Sequence, residues 1–199
     1  GKQAPKLVTR TSKTDKPVDP EFVELREKWL NNLLGGTLDT GNQAVVTYIT
    51  GLDEKAGEYW SSMIKSDDAS RTNLWSDLDM SYIAGTGAKA KVHSGNVAQT
   101  FYRLKDMAIA WATEGCVLYQ NDELKEELIR ALDFMNENHY SSSDDKTPFF
   151  GNWWHWEIGG PIAFMDTALI LYDDLTLKQI TNYAAAVNRF TNVCDKPSG

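Results

Sequence analysis

From Asp19 onward, apolar residues recur at three- and four-residue intervals, the period of helices that each bury one face. Asp19 can cap a first helix, Pro20 suits its first position, and Phe22, Leu25, Trp29 and Leu33 form one stripe that Gly35-Gly36 ends. A second stripe runs Ala56, Tyr59, Trp60, Met63 and Ile64. Residues 66–81 are polar and irregular, with Trp75 and Leu78 as anchors. A third helix is expected to open near Ser94-Gly95-Asn96 and carry Val97, Phe101, Leu104, Ala108 and Trp111. A fourth follows from Asn121 through Leu124, Leu128, Ala131, Leu132 and Met135. After a polar loop, Ser141 to Lys146, and a cluster of tryptophans, a helix beginning near Pro161 carries Ile162, Met165 and Leu169. The last helix has a capping box, Thr176 with Gln179, and the stripe Leu177, Ile180, Tyr183, Ala184 and Val187. No segment alternates with period two over β-branched residues. The pattern predicts an all-α fold built from antiparallel helical hairpins.

Composition narrows the class. At 199 residues, with 42% hydrophobic and 24% charged residues, the chain has a globular rather than a disordered make-up. Residues 1–19 carry five basic and two acidic side chains with Pro5 and Pro17, and read as a basic flexible tail or linker. The net charge of −8 argues against a broad nucleic-acid-binding surface. No apolar run approaches a membrane span. The chain opens at Gly1, so the lack of a leader carries no information about export. Cys116 and Cys194 are too few for a disulfide framework; two separate thiols and one bridge both fit.

Most candidate chemistry fails on spacing. Gly85-Thr86-Gly87-Ala88-Lys89 lacks the glycine spacing, hydroxyl residue and preceding strand of a phosphate loop. Asp67-Asp68, Asp144-Asp145 and Asp173-Asp174 lack calcium-loop spacing and read as turns or caps. His93, His139 and His155 do not pair at metal-ligand spacing, and no nucleophile elbow occurs. No cofactor or metal is expected.

The segment Asn152-Trp153-Trp154-His155-Trp156-Glu157-Ile158-Gly159-Gly160-Pro161 stands apart. Neighbouring helix positions diverge by about 100°, so Trp153 and Trp154 cannot share one buried face. Trp153 with Trp156, or Trp154 with Ile158, could share one. At least one indole should therefore reach solvent or a cleft, where its flat apolar face suits the C–H face of a sugar ring. Packing of all three into the core is the competing expectation.

This stretch resembles the NWWxWEIG-type signature of the family 8 polysaccharide lyases, which include hyaluronate, chondroitin AC and xanthan lyases. Other pieces agree in order: Glu21 to Trp29 with Gly35-Gly36, Asn73 to Leu78, Tyr102 to Ala108, and Leu171 to Asp174. His155 is closest to the xanthan-lyase form. The resemblance covers residues 20–192 and implies part of an incomplete α/α toroid in a secreted enzyme that cleaves uronic-acid-containing polysaccharides by β-elimination. It implies as partners an acidic polysaccharide and the remainder of the same lyase. The family's catalytic Asn, His and Tyr are expected downstream, because no histidine follows His155, so no catalytic residue is assigned and this chain alone is expected to be inactive. Asn152, Trp153 and Trp154 are the substrate-binding candidates, Trp156 is assigned to the core, and His155 is structural or peripheral. The net charge of −11 on residues 20–199 requires cations elsewhere in the cleft to hold a polyanion. A non-catalytic glycan-binding module and a helical interaction scaffold remain alternatives.

Overall fold

The computed structural model describes Lys16 and residues 19–192. The expected tail therefore lies outside the described residues except for Lys16 and Asp19, as does Cys194. Six α-helices follow in order: α1 (Pro20–Leu34), α2 (Gln43–Ser62), α3 (Ala88–Ala112), α4 (Asp122–Asn138), α5 (Gly160–Ile170) and α6 (Leu177–Thr191). A π-turn, His155–Gly159, leads into α5, and a 3₁₀ turn, Tyr172–Asp174, joins α5 to α6. The described residues include no strand, and none of their helices is long and apolar enough to cross a membrane.

Local signals account for most boundaries. The Asp19 carboxylate accepts from the Glu21 N–H, and Gly35, at φ 76°, ends α1 in the left-handed region where a side chain would be strained. Asn121 caps α4, and Thr176 and Gln179 form the expected reciprocal capping box on α6. Three helices begin earlier than the pattern suggested. The second starts at Gln43 behind an Asn42 cap, and the third starts at Ala88, so Ser94-Gly95-Asn96 lies within it. The turns of the fifth begin at Trp153.

The 25-residue α3 is the central element, packing against α5, α2, α4 and α1. Its buried face supplies Val97, Phe101, Leu104, Ala108 and Trp111, as expected, and the core continues through Leu74, Trp75, Leu128, Leu132, Trp156 and Phe164. The irregular stretch between α2 and α3 is pinned rather than loose. Trp75 donates its indole N–H to the Tyr59 carbonyl at 3.0 Å, and Arg103 grips the Asp77 carboxylate through two nitrogens at 2.9 and 2.5 Å. Several aspartates of the acidic pairs serve as loop and helix anchors: Asp68 holds Ser70, Asp144 meets Arg189, and Asp173 meets Arg26.

Two helices present a different face from the one their apolar pattern suggested. In α1, Leu25 and Trp29 are 65% and 51% exposed, while Leu30 is buried. The seated side is lined by Phe22, Arg26, Leu30 and Leu33, because Arg26 donates to the Leu169 carbonyl at 3.0 Å and to Asp173. In α5, Ile162 and Met165 face outward, whereas Asp166 and Thr167 are buried. Asp166 is neutralised by Lys105 at 3.0 Å and accepts the Trp29 indole N–H at 2.7 Å, so burying its charge is compensated. Leu177 and Ala184 of α6 are likewise exposed, with Tyr183, Ala186 and Phe190 turned inward.

Candidate functional site

The tryptophan segment is bolted to the N-terminal third of α3 and to the loop before it. Asn152 donates its backbone N–H to Ser94 Oγ at 3.0 Å, and Gly151 donates to the Gly85 carbonyl at 2.8 Å. Gly95 receives the His155 ring: a methyl there would lie 3.4 Å from Nε2. The small residues that looked like a helix start are thus a notch in a continuous helix, into which the following segment settles.

Asn152 is half-buried, and its side-chain oxygen accepts the Trp154 N–H at 3.1 Å, capping the turn that begins at Trp153. Trp153 and Trp154 are 55% and 41% exposed, whereas Trp156, two residues on, is 1% exposed. Trp156 donates its indole N–H to the Phe150 carbonyl at 2.7 Å and stacks against Tyr140 and Phe190 with interplanar angles of 10° and 22°. Trp153 and Trp156 therefore part company, while Trp154 and Ile158 both emerge. The π-turn holds one more residue per loop than an α-turn and rotates the segment between these side chains.

Trp154 lies across Gly159, edge-on to His155 with ring centroids 5.7 Å apart, and beside the Tyr102 hydroxyl. Neither exposed indole N–H donates to a described residue, and both rings reach the surface. His155 sits behind them. Its Nδ1 is buried without a partner among the described residues, and burial holds its pKa below the ordinary imidazole value. That favours a neutral ring packed on Gly95. Tyr102, which the sequence offered only as part of a longer resembling stretch, is the neighbour that reading missed; its place beside Trp154 depends on α3 crossing the π-turn. No cluster of three or more His, Cys, Asp or Glu side chains suited to a metal occurs among the described residues.

The family description "Polysaccharide lyase family 8, N terminal alpha-helical domain" matches residues 29–196, and the chain belongs to that family. It is 36% identical over 172 residues to a xanthan lyase of Bacillus sp. (strain GL1), covering 86% of this chain and 17% of that protein. It is 32% identical over 185 residues to the hyaluronate lyase HylB of Enterococcus faecalis (strain ATCC 700802 / V583), covering 90% and 17%. Among solved structures, Paenibacillus xanthan lyase superposes with a TM-score of 0.75 at 35% identity, over 87% of this chain and 15% of that one. The Streptomyces coelicolor A3 chondroitin AC lyase, in complex with chondroitin sulphate, gives 0.72 at 25% identity, over 91% and 22%. The chain thus spans about a sixth of the length of these two relatives from Bacillus and Enterococcus.

Proposed function

We propose that this chain is the N-terminal portion of an α/α-toroid lyase that cleaves uronic-acid-containing polysaccharides by β-elimination, with Asn152, Trp153 and Trp154 forming one wall of its cleft. The observation that carries this reading is the pair of adjacent exposed indoles, Trp153 and Trp154, set between half-buried Asn152 and His155 with Gly151 and Trp156 buried beyond them. Exposing two large aromatic rings side by side forgoes burial worth about 1.5–3 kcal/mol for a large apolar side chain, and contact with a sugar face recovers part of that. The Asn152 amide nitrogen is placed to donate to a ring hydroxyl or carboxylate oxygen. In β-elimination a base removes the C5 proton beside the uronate carboxylate, the C4–O bond breaks as its oxygen leaves with a proton from an acid, and a C4–C5 double bond forms in the sugar left behind. The proton-handling groups belong to the rest of the enzyme; this domain's share is to hold and orient the glycan. The enzyme is placed outside the cell, where such polymers lie, and its partners are an acidic polysaccharide and the remaining domains.

The test is direct. Full-length protein is incubated with hyaluronan, chondroitin and xanthan, and formation of unsaturated uronate is followed by ultraviolet absorbance, while indole fluorescence is titrated with oligosaccharides of each. Absorbance growth with one polymer, and quenching that disappears in Trp153→Ala and Trp154→Ala, supports the proposal. Quenching without any unsaturated product favours a non-catalytic glycan-binding module. Absence of both leaves a helical scaffold.

A further inference from the structure

The glycines around the tryptophan segment differ in what a side chain would meet. At Gly151, whose φ is +70°, an added methyl would overlap the Ala90 carbonyl oxygen and the Ser94 side chain. At Gly160 it would lie 2.5 Å from the His155 carbonyl oxygen. Both obstacles include backbone, so these glycines are demanded by the fold. Gly159 is different. The nearest atoms to a methyl there are the free ends of two side chains: the Tyr102 hydroxyl oxygen and the ring carbons Cζ3 and Cη2 of Trp154, with Cη2 at 3.0 Å.

The geometry follows from the π-turn. Residues five apart on an α-helix diverge by about 140°, which would carry the Trp154 ring away from position 159. The π-turn's i→i+5 closure brings them onto one side, and Gly159 becomes the floor beneath the indole. Tyr102, reaching from α3, walls the same spot. Carbon–carbon contacts settle near about 3.5–4.0 Å, so a methyl at this floor must push the ring outward by on the order of 1 Å while the backbone keeps its course.

We propose that Gly159 is a positioning residue: its lack of a side chain sets the depth at which the Trp154 indole lies, and so the height of the sugar-facing ledge. This rests on the reading of Trp154 as part of a glycan wall. The Tyr102 hydroxyl is the second boundary of the seat, and removing it gives a displaced ring room to return.

The experiment compares Gly159→Ala, Tyr102→Phe, their double variant, Trp154→Ala and Gly151→Ala in full-length protein. The ring is followed by fluorine NMR of 5-fluorotryptophan-labelled protein, with the Trp154 resonance assigned by Trp154→Phe. Affinity is measured with hyaluronan, chondroitin and xanthan oligosaccharides in turn. Gly159→Ala is expected to melt cooperatively close to the parent, shift the Trp154 resonance and weaken glycan binding about three- to tenfold, the range for one well-placed aromatic contact. The double variant should regain part of both the resonance and the affinity. A Trp154 resonance unmoved by Gly159→Ala overturns the inference. So does unfolding of Gly159→Ala comparable to that of Gly151→Ala, because the glycine then serves the backbone. Loss of affinity in Trp154→Ala but not in Gly159→Ala overturns it as well. A moved resonance with undiminished affinity in both Gly159→Ala and Trp154→Ala upholds the seat and overturns the glycan wall.

Discussion

Tyr140 donates its hydroxyl to the Trp156 carbonyl oxygen at 2.7 Å while its ring lies nearly parallel to the Trp156 indole, 6.1 Å between centroids. One residue thus clamps both the backbone and the side chain of the π-turn that carries the exposed ledge. Burial pushes the Tyr140 hydroxyl pKa far above its ordinary value, so the clamp remains a donor throughout the physiological range. Tyr140→Phe keeps the ring but strands a buried carbonyl. The expected cost is about 1–3 kcal/mol, read as a lower urea midpoint with an unchanged slope.

The three tryptophans should separate by role. Trp156→Ala removes a fully buried indole and is expected to destabilise by about 3–5 kcal/mol. Trp153→Ala, at a half-exposed position, should stay within about 0.5 kcal/mol of the parent. Trp154→Ala should fall between them, since its ring covers Gly159. Thermal melts of the three variants check the order; equal losses in all three would place every indole in the core.

Stability should fall as the pH drops below neutrality. His139 donates from Nε2 to the Thr72 carbonyl at 2.9 Å, and burial holds its pKa below the ordinary value, as it does for His155. The unfolded chain then binds more protons than the folded one as pH falls through the ordinary imidazole range near about 6.5. The stabilisation is complete above that range and is lost on the way down to the lowered folded pKa values. His139→Gln, whose amide can still donate to Thr72, should flatten melting temperature against pH between about pH 7 and 5. Parallel curves for parent and variant would count against this assignment.

Cys116 is a buried free thiol, and its pKa is pushed up to about 11, by burial first and by Asp53 second. The thiolate is the reactive form, so a Cys194→Ser variant should resist Ellman's reagent at pH 8 while folded and react stoichiometrically in denaturant. Rapid labelling of the native variant would show that the 113–119 loop opens readily.

Much of this architecture was legible from short-range chemistry. Asp19 and the Thr176–Gln179 box cap where they were expected to, and α4 opens behind Asn121, because capping needs only the neighbouring backbone. The core face of α3 and α4 was legible from periodicity, since both helices are covered on a broad apolar side. Trp156 is buried as assigned, and the adjacent pair Trp153 and Trp154 reaches the surface as the divergence of neighbouring positions requires of at least one of them, whereas Trp153 and Trp156, three apart, do not share a face.

Other features depend on what each helix meets. Period reveals which residues share a side, not which side finds a neighbour. Arg26 sits on the seated face of α1 and Asp166 on that of α5, because remote partners neutralise or bond them; a reading by hydropathy put Leu25, Trp29, Ile162 and Met165 inward, where the structure exposes them. Ser94-Gly95 combines small size with helix-start chemistry, and only the segment docking against it makes it a notch. The π-turn has no signature in residue type. It lies where Trp156 packs on Tyr140 and Phe190 and Gly160 comes close to Phe101, contacts made with remote elements rather than with sequence neighbours. Side-chain chemistry along the chain therefore set most of the helices and singled out the tryptophan segment, and packing between distant helices decided which way each one faced and where the Trp154 ring came to rest.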